Sequence, residues 1–131
     1  MRYLCDVNIL LALAHQSHGD HLKVSAWFQS VSPVATAFLT CSITELGFVR
    51  VSVQAGIESD IFSAKQTLLG LKASSPVPFH LLPDALGCDT LPKYVKSQAQ
   101  LTDGHLLELA LKSGVKLVTL DKGIPGALLI K

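Results

Sequence analysis

The chain alternates between two hydrophobic rhythms. Short, largely apolar runs read as strands: Tyr3 to Val7, Phe38-Leu39-Thr40-Cys41, Phe79 to Leu82, Lys116 to Leu120 and Ala127 to Ile130. Between them, apolar residues recur at helical spacing. The expected helices are Ile9 to His15; a segment from His18 or Asp20 with Leu22, Ala26 and Trp27 on one face; Ser42 to about Val53; Ser59 to Lys72, with Ile61, Ala64, Leu68 and Leu71 in register; and a last one carrying Leu106, Leu107, Leu109, Ala110 and Leu111. Asn8, Ser42 and Thr102 are suited to cap helix starts, and Gly114 suits the left-handed residue that ends a helix. Pro33 and Gly56 act as breaks. Only Asp84 to Gln100 has no clear period, although Pro92 permits a helix to begin there and include Tyr94 and Val95.

Strands alternating with helices over the whole length imply an α/β class, with one mainly parallel sheet of about five strands between two helical layers. Residues 1–131 are expected to form a single domain. Right-handed crossovers put every strand-to-helix loop on one side of such a sheet, and ligands bind there, beyond the carboxyl ends of the strands. Asp6 and Asp121 end strands, while Glu45 and Asp103 lie in first helical turns that start on the same side. Four acids distant in sequence are therefore expected at one edge.

Composition supports a packed domain: 49% of residues are apolar and 16% charged. The net charge of +1 means that any polyanion must be met by local patches or by metal ions. Cys5, Cys41 and Cys88 are too scattered for a disulfide framework or a C-x-x-C site, which suggests a reducing, cytoplasmic setting. The apolar stretch from Ile9 to Ala14 is too short to span a bilayer, so no membrane association is expected.

Four carboxylates in one pocket repel one another and raise each other's pKa, and a divalent cation removes that conflict. Oxygen-only ligands favour Mg²⁺ or Mn²⁺ over Zn²⁺. Such ions activate water and steady charge on a phosphate, a combination suited to phosphodiester hydrolysis.

Asp6-Val7-Asn8, Thr44-Glu45-Leu46-Gly47, Thr102-Asp103 and Thr119-Leu120-Asp121 together resemble the four motif blocks of PIN domains. The stretch Thr44 to Val51 is similar in particular to VapC toxins of bacterial toxin–antitoxin pairs. The likeness runs in order over nearly the whole chain. It implies a three-layer α/β/α fold and an Mg²⁺- or Mn²⁺-dependent endoribonuclease. It also implies a homodimer and a cognate VapB-type antitoxin. Asp6, Glu45, Asp103 and Asp121 would be the catalytic and metal-holding acids, with Asn8 and Thr119 orienting Asp6 and Asp121.

Each residue also has a plainer reading. Ser42-Ile43-Thr44-Glu45 is a capping box that would employ Glu45 at a helix start. Asp103 complements a helix dipole, Asp121-Lys122-Gly123 is good turn chemistry, and Asn8 is a helix cap. Asp6 in an apolar run is the hardest to explain away, because an isolated buried carboxylate is costly. His15, His18 and His21 read as a solvated turn rather than a zinc site, since Gly19 interrupts the helix they would need. His105 reads as a surface helical residue, and Asp84 and Asp89 as solvated loop residues. Arg50 and Lys122, with Lys93 and Lys96, are candidate RNA phosphate contacts, against the plainer role of solubility. Trp27, Phe48 and Phe62 are expected in the core or at a dimer contact. Two other functions remain open: a non-catalytic PIN-like module binding RNA or protein, and phosphoryl transfer through Asp6. The second lacks a lysine at the end of a middle strand to balance the phosphate.

Overall fold

The computed structural model describes residues 1–131. In chain order the elements are β1 (Arg2–Cys5), α1 (Val7–Ala14), α2 (His21–Val31), β2 (Ala37–Thr40), α3 (Ser42–Gln54), α4 (Ile61–Ser74), β3 (Phe79–Leu81), α5 (Leu101–Ser113), β4 (Lys116–Thr119) and β5 (Leu128–Leu129). The five strands form one parallel sheet in the order β3-β2-β1-β4-β5. The chain builds outward from β1 through β2 to β3, then crosses back to lay β4 on the other side of β1. The strand order therefore reverses between β1 and β4, which creates a crevice beyond their carboxyl ends.

Alternating side chains feed two separate cores. Tyr3, Cys5, Phe38 and Val118 face α1 to α4, where Ile9, Leu10, Val24, Phe28, Phe48 and Leu68 cover them. Leu4, Leu39, Cys41 and Leu117 face α5, with Leu106, Leu107, Leu109 and Ala110. Both faces of the sheet are thus covered, which is why its strands carry so few polar residues. Burial also drives the Cys5 thiol up to about 12, with Asp6 adding to the rise, so Cys5 is an inert core residue. Cys41 is buried too, whereas Cys88 is exposed.

Several local expectations are corrected. Asp6, not Asn8, is the N-cap of α1, accepting from the Val7 amide. Leu22 and Ala26 face solvent on α2, whose buried side is Val24 and Phe28. Ile61 is exposed on α4, whereas Ala64 and Leu68 are buried as expected. Helix α5 begins at Leu101 after Gln100, so Thr102 lies inside its first turn rather than at the cap. Gly114 does adopt the left-handed conformation at the other end, with φ 67°. No α-helix starts at Pro92; Val95 N–H donates to the Pro92 carbonyl in a tight turn, flanked by short 3-10 segments at Cys88–Thr90 and Gln98–Gln100.

Candidate active site

Asp6 leaves β1 into the crevice and is only 5% exposed. Its Oδ1 accepts from the Val7 amide at 2.7 Å, and its Oδ2 accepts from the Thr119 hydroxyl at 2.7 Å. Thr119 ends β4, and its Oγ1 also accepts from the Asp121 amide at 2.9 Å and from Asn8 Nδ2 at 3.4 Å. Asn8 in turn accepts from the Leu120 amide at 3.2 Å. Asn8 and Thr119 thus lace the start of α1 to the end of β4 across the switch point, with Thr119 holding the Asp6 carboxylate and the Asp121 backbone amide.

Asp103, in the first turn of α5, closes the set from the far side of the sheet. Burial pushes its carboxyl up to about 7, helped by a hydrogen bond with Asp121 and by the charges of Asp6 and Asp121. Asp6 is also raised: burial lifts it, the bonds from Thr119 and Val7 pull it back, and Asp121 adds to the rise. Three carboxylates therefore share one electrostatic field, and one of them keeps a proton to near neutrality.

Glu45 reaches the same edge one strand over but is otherwise engaged. Its Oε2 accepts from Lys72 Nζ at 2.6 Å and from the Thr40 hydroxyl at 2.5 Å. The capping-box reading of Glu45 is not met either, because Cys41 is the cap of α3 and Thr44 is its reciprocal partner. Lys72, from α4, carries no motif that would have revealed this pairing. As placed here, no three His, Cys, Asp or Glu side chains form a ready-made cage for an ion, and Glu45 is turned to Lys72 and Thr40. In donor chemistry the trio nonetheless fits a hard cation, being all oxygen and mutually repulsive.

This chain is 40% identical over 124 residues to Ribonuclease VapC38 of Mycobacterium tuberculosis H37Rv, covering 92% of this chain and 86% of that protein. It belongs to the VapC ribonuclease family. Ribonuclease VapC44 of Mycobacterium tuberculosis CDC 1551 is 34% identical, covering 97% and 94% of the two chains. Among solved structures, the VapBC2 complex of Rickettsia felis bound to a fragment of its promoter DNA aligns with TM-score 0.63 at 13% identity, over 98% and 97% of the chains. Mycobacterium tuberculosis VapC20, described as a Sarcin-Ricin loop cleaving toxin, aligns with TM-score 0.62 at 10% identity, over 93% and 92%. The three-layer fold expected from the sequence is thus that of VapC structures. No family model matches the chain.

The segment from Asp84 to Gln100, opaque in the sequence, packs against the start of α5. Tyr94 Oη is buried without a hydrogen-bond partner. Burial raises its pKa, and Asp103, Asp121 and Asp6 raise it further, which locates the phenol beside the acids. Gly104, next to Asp103, allows this: a Cβ there would lie 2.3 Å from Val95 Cγ2 and 3.4 Å from Pro92 Cδ. Asp84 and His105 are not solvated surface residues, since they pair at 2.5 Å with 10% and 13% exposure. Burial lifts Asp84, but bonds from His105 and the Leu86 amide outweigh it and hold the carboxyl below its usual range.

The His15–His21 turn is solvated at Gln16, Ser17 and Gly19, but not at His15. His15 is buried and stacked on Phe48, with Nδ1 3.1 Å from the Leu11 carbonyl and Nε2 2.9 Å from Glu58. Arg50 lies on the outward face of α3 with Leu46, Val49 and Val53. Lys122 is exposed next to Asp121. Phe48 is fully buried, whereas Phe62 is 65% exposed.

Proposed function

We propose that this protein is an endoribonuclease, the toxin of a VapBC-type pair, and that it works with Mg²⁺ or Mn²⁺. The observation that carries the reading is the trio Asp6, Asp103 and Asp121 at the sheet's switch point, where burial first, and then the neighbouring carboxylates, raise Asp103 to about 7. These three would hold the ion, with Glu45 bordering them while paired to Lys72. When bound, the ion supplies an activated water and a counter-charge for the phosphate. Thr119 and the Val7 amide hold both oxygens of Asp6 in place. Asn8 keeps the start of α1 in register with the Leu120 amide. Asp103, raised to about 7 in the ion-free chain, would have to be deprotonated to hold an ion, so acidic solution would oppose its uptake.

The proposed partners are an RNA substrate, a VapB-type antitoxin and a second copy of the chain. Leu46 and Ile61, 65% and 67% exposed, rim a hollow on α3 and α4 that a two-fold related copy would bury. No helix is long and apolar enough to cross a membrane.

The test is cleavage of single-stranded RNA with Mn²⁺ and with chelator. The wild-type chain is expected to cut only with the ion, and Asp6→Asn and Asp103→Asn to stay folded and inactive. A chain that binds RNA but never cuts it would support the non-catalytic reading instead.

A further inference from the structure

A cleft of about 540 Å³ lies beside the acid site, lined by Lys23, Leu120, Lys122, Leu129, Ile130 and Lys131. Leu120 and Lys122 flank Asp121 in the loop that leaves β4. Leu129 pairs with Thr119 in the sheet, and the Ile130 amide donates to the Thr119 carbonyl at 3.0 Å. The cleft is thus built on the same backbone that positions Asp6, and opens on the same edge of the sheet. Its lining holds the side chains of three lysines and three aliphatic residues. Lys122 and Lys131 make no ion pair, and Lys23 has only an exposed one, to Asp20 at 3.4 Å. Such a pair is weak enough to yield to a phosphate.

We propose that this cleft seats one nucleotide of single-stranded RNA next to the phosphate that is cut. Its base rests on Leu120, Leu129 and Ile130, and its phosphates meet Lys23, Lys122 and Lys131. The assignment rests on the ribonuclease reading above and adds the place where substrate is held. The volume is in the range of small-ligand pockets. An aliphatic floor accepts the face of any base, and lysine holds phosphate as a point charge, so the cleft sets affinity and register rather than sequence preference. It also answers the low overall charge: three of the chain's 11 lysines and arginines gather here, next to the acids, where a chain of net charge +1 needs them.

The test is fluorescence anisotropy with a labelled mixed-sequence RNA 8-mer, in chelator so that nothing is cut. Lys23→Ala/Lys122→Ala/Lys131→Ala is expected to weaken binding at least tenfold. It should also lower the slope of log affinity against log salt by about 2, at roughly 0.7 per phosphate contact. Lys112→Ala, on α5 and outside the cleft, is expected to bind as the wild type. Leu129→Trp fills the floor without changing charge and should also weaken binding, with an unchanged melting temperature showing that the chain is folded. In cleavage assays the triple variant should raise KM and leave kcat nearly unchanged. Wild-type binding of the 8-mer that survives the triple substitution overturns the cleft while leaving the ribonuclease reading intact. Failure of the wild type to bind the 8-mer in chelator likewise overturns the cleft, whereas the ribonuclease reading falls only if RNA is not cut with Mn²⁺. Capture of a polyglutamate peptide in place of RNA would assign the lysines to an acidic protein segment and overturn the proposal.

Discussion

Asp103→Asn gives a direct handle on the electrostatics of the acid site without any ion. The folded chain holds the Asp103 proton up to about pH 7, against an ordinary carboxyl value of 3.8. Because the folded state binds this proton more tightly than the unfolded one, the stability it brings is complete at low pH and is lost as pH rises towards 7. The shift of about 3 units corresponds to at most about 4 kcal/mol, and solvent screening of a partly exposed group reduces this to about 2 kcal/mol. In chelator, the wild type should therefore be less stable at pH 8 than at pH 5. The variant, with a neutral amide, should be flatter and more stable than the wild type at pH 8. For a chain of this size the difference corresponds to about 6–10 °C in Tm. Glu58 and Asp84, held below their usual values chiefly by hydrogen bonds, act in the opposite sense and only at more acidic pH, so this window is free of them. Thermal melts of both proteins at pH 5, 6, 7 and 8 provide the assay. Parallel curves throughout would refute the shared field of Asp6, Asp103 and Asp121.

Three further substitutions probe the supports of the site. Tyr94→Phe removes a buried hydroxyl that has no partner, and should stabilise the ion-free chain by about 1 kcal/mol in urea melts; a loss of that size would mean the hydroxyl is in fact bonded. Gly104→Ala drives a methyl into Val95, and should cost about 1–3 kcal/mol and lower RNA cleavage, since the Pro92–Val95 turn must move away from Asp103. Thr119→Val removes the donor to Asp6, and should cost about 1.5–3 kcal/mol in denaturant melts at pH 8.

The sequence made the layer order legible because a sheet covered on both faces writes its strands as apolar runs. The helices between those runs then admit few topologies. Asp6 stood out because a carboxylate beside buried Leu4 and Cys5 needs a reason, and Asp121 because it closes an apolar strand. Other features depended on contacts that no local pattern encodes. Lys72 meets Glu45 from another helix, and Asp84 meets His105 across an aperiodic loop. His15 is buried because Glu58, 43 residues away, waits for it. The face of α2 was misread because Leu22 and Ala26 are apolar yet exposed, so hydrophobicity alone does not say which stripe is covered. Tyr94 escaped notice because its segment is ordered by packing against Gly104 rather than by a helical or strand period.

The central claim is that the carboxylates at the β1–β4 edge hold a divalent cation used to cut RNA. Its most direct test is calorimetric titration of Mn²⁺ into the wild-type chain and into Asp6→Asn at pH 8. Saturable binding by the wild type, lost in the variant while its melting transition remains cooperative, is the expected result. Equal binding by both proteins, or RNA cleavage by a wild type that binds no Mn²⁺, would contradict it.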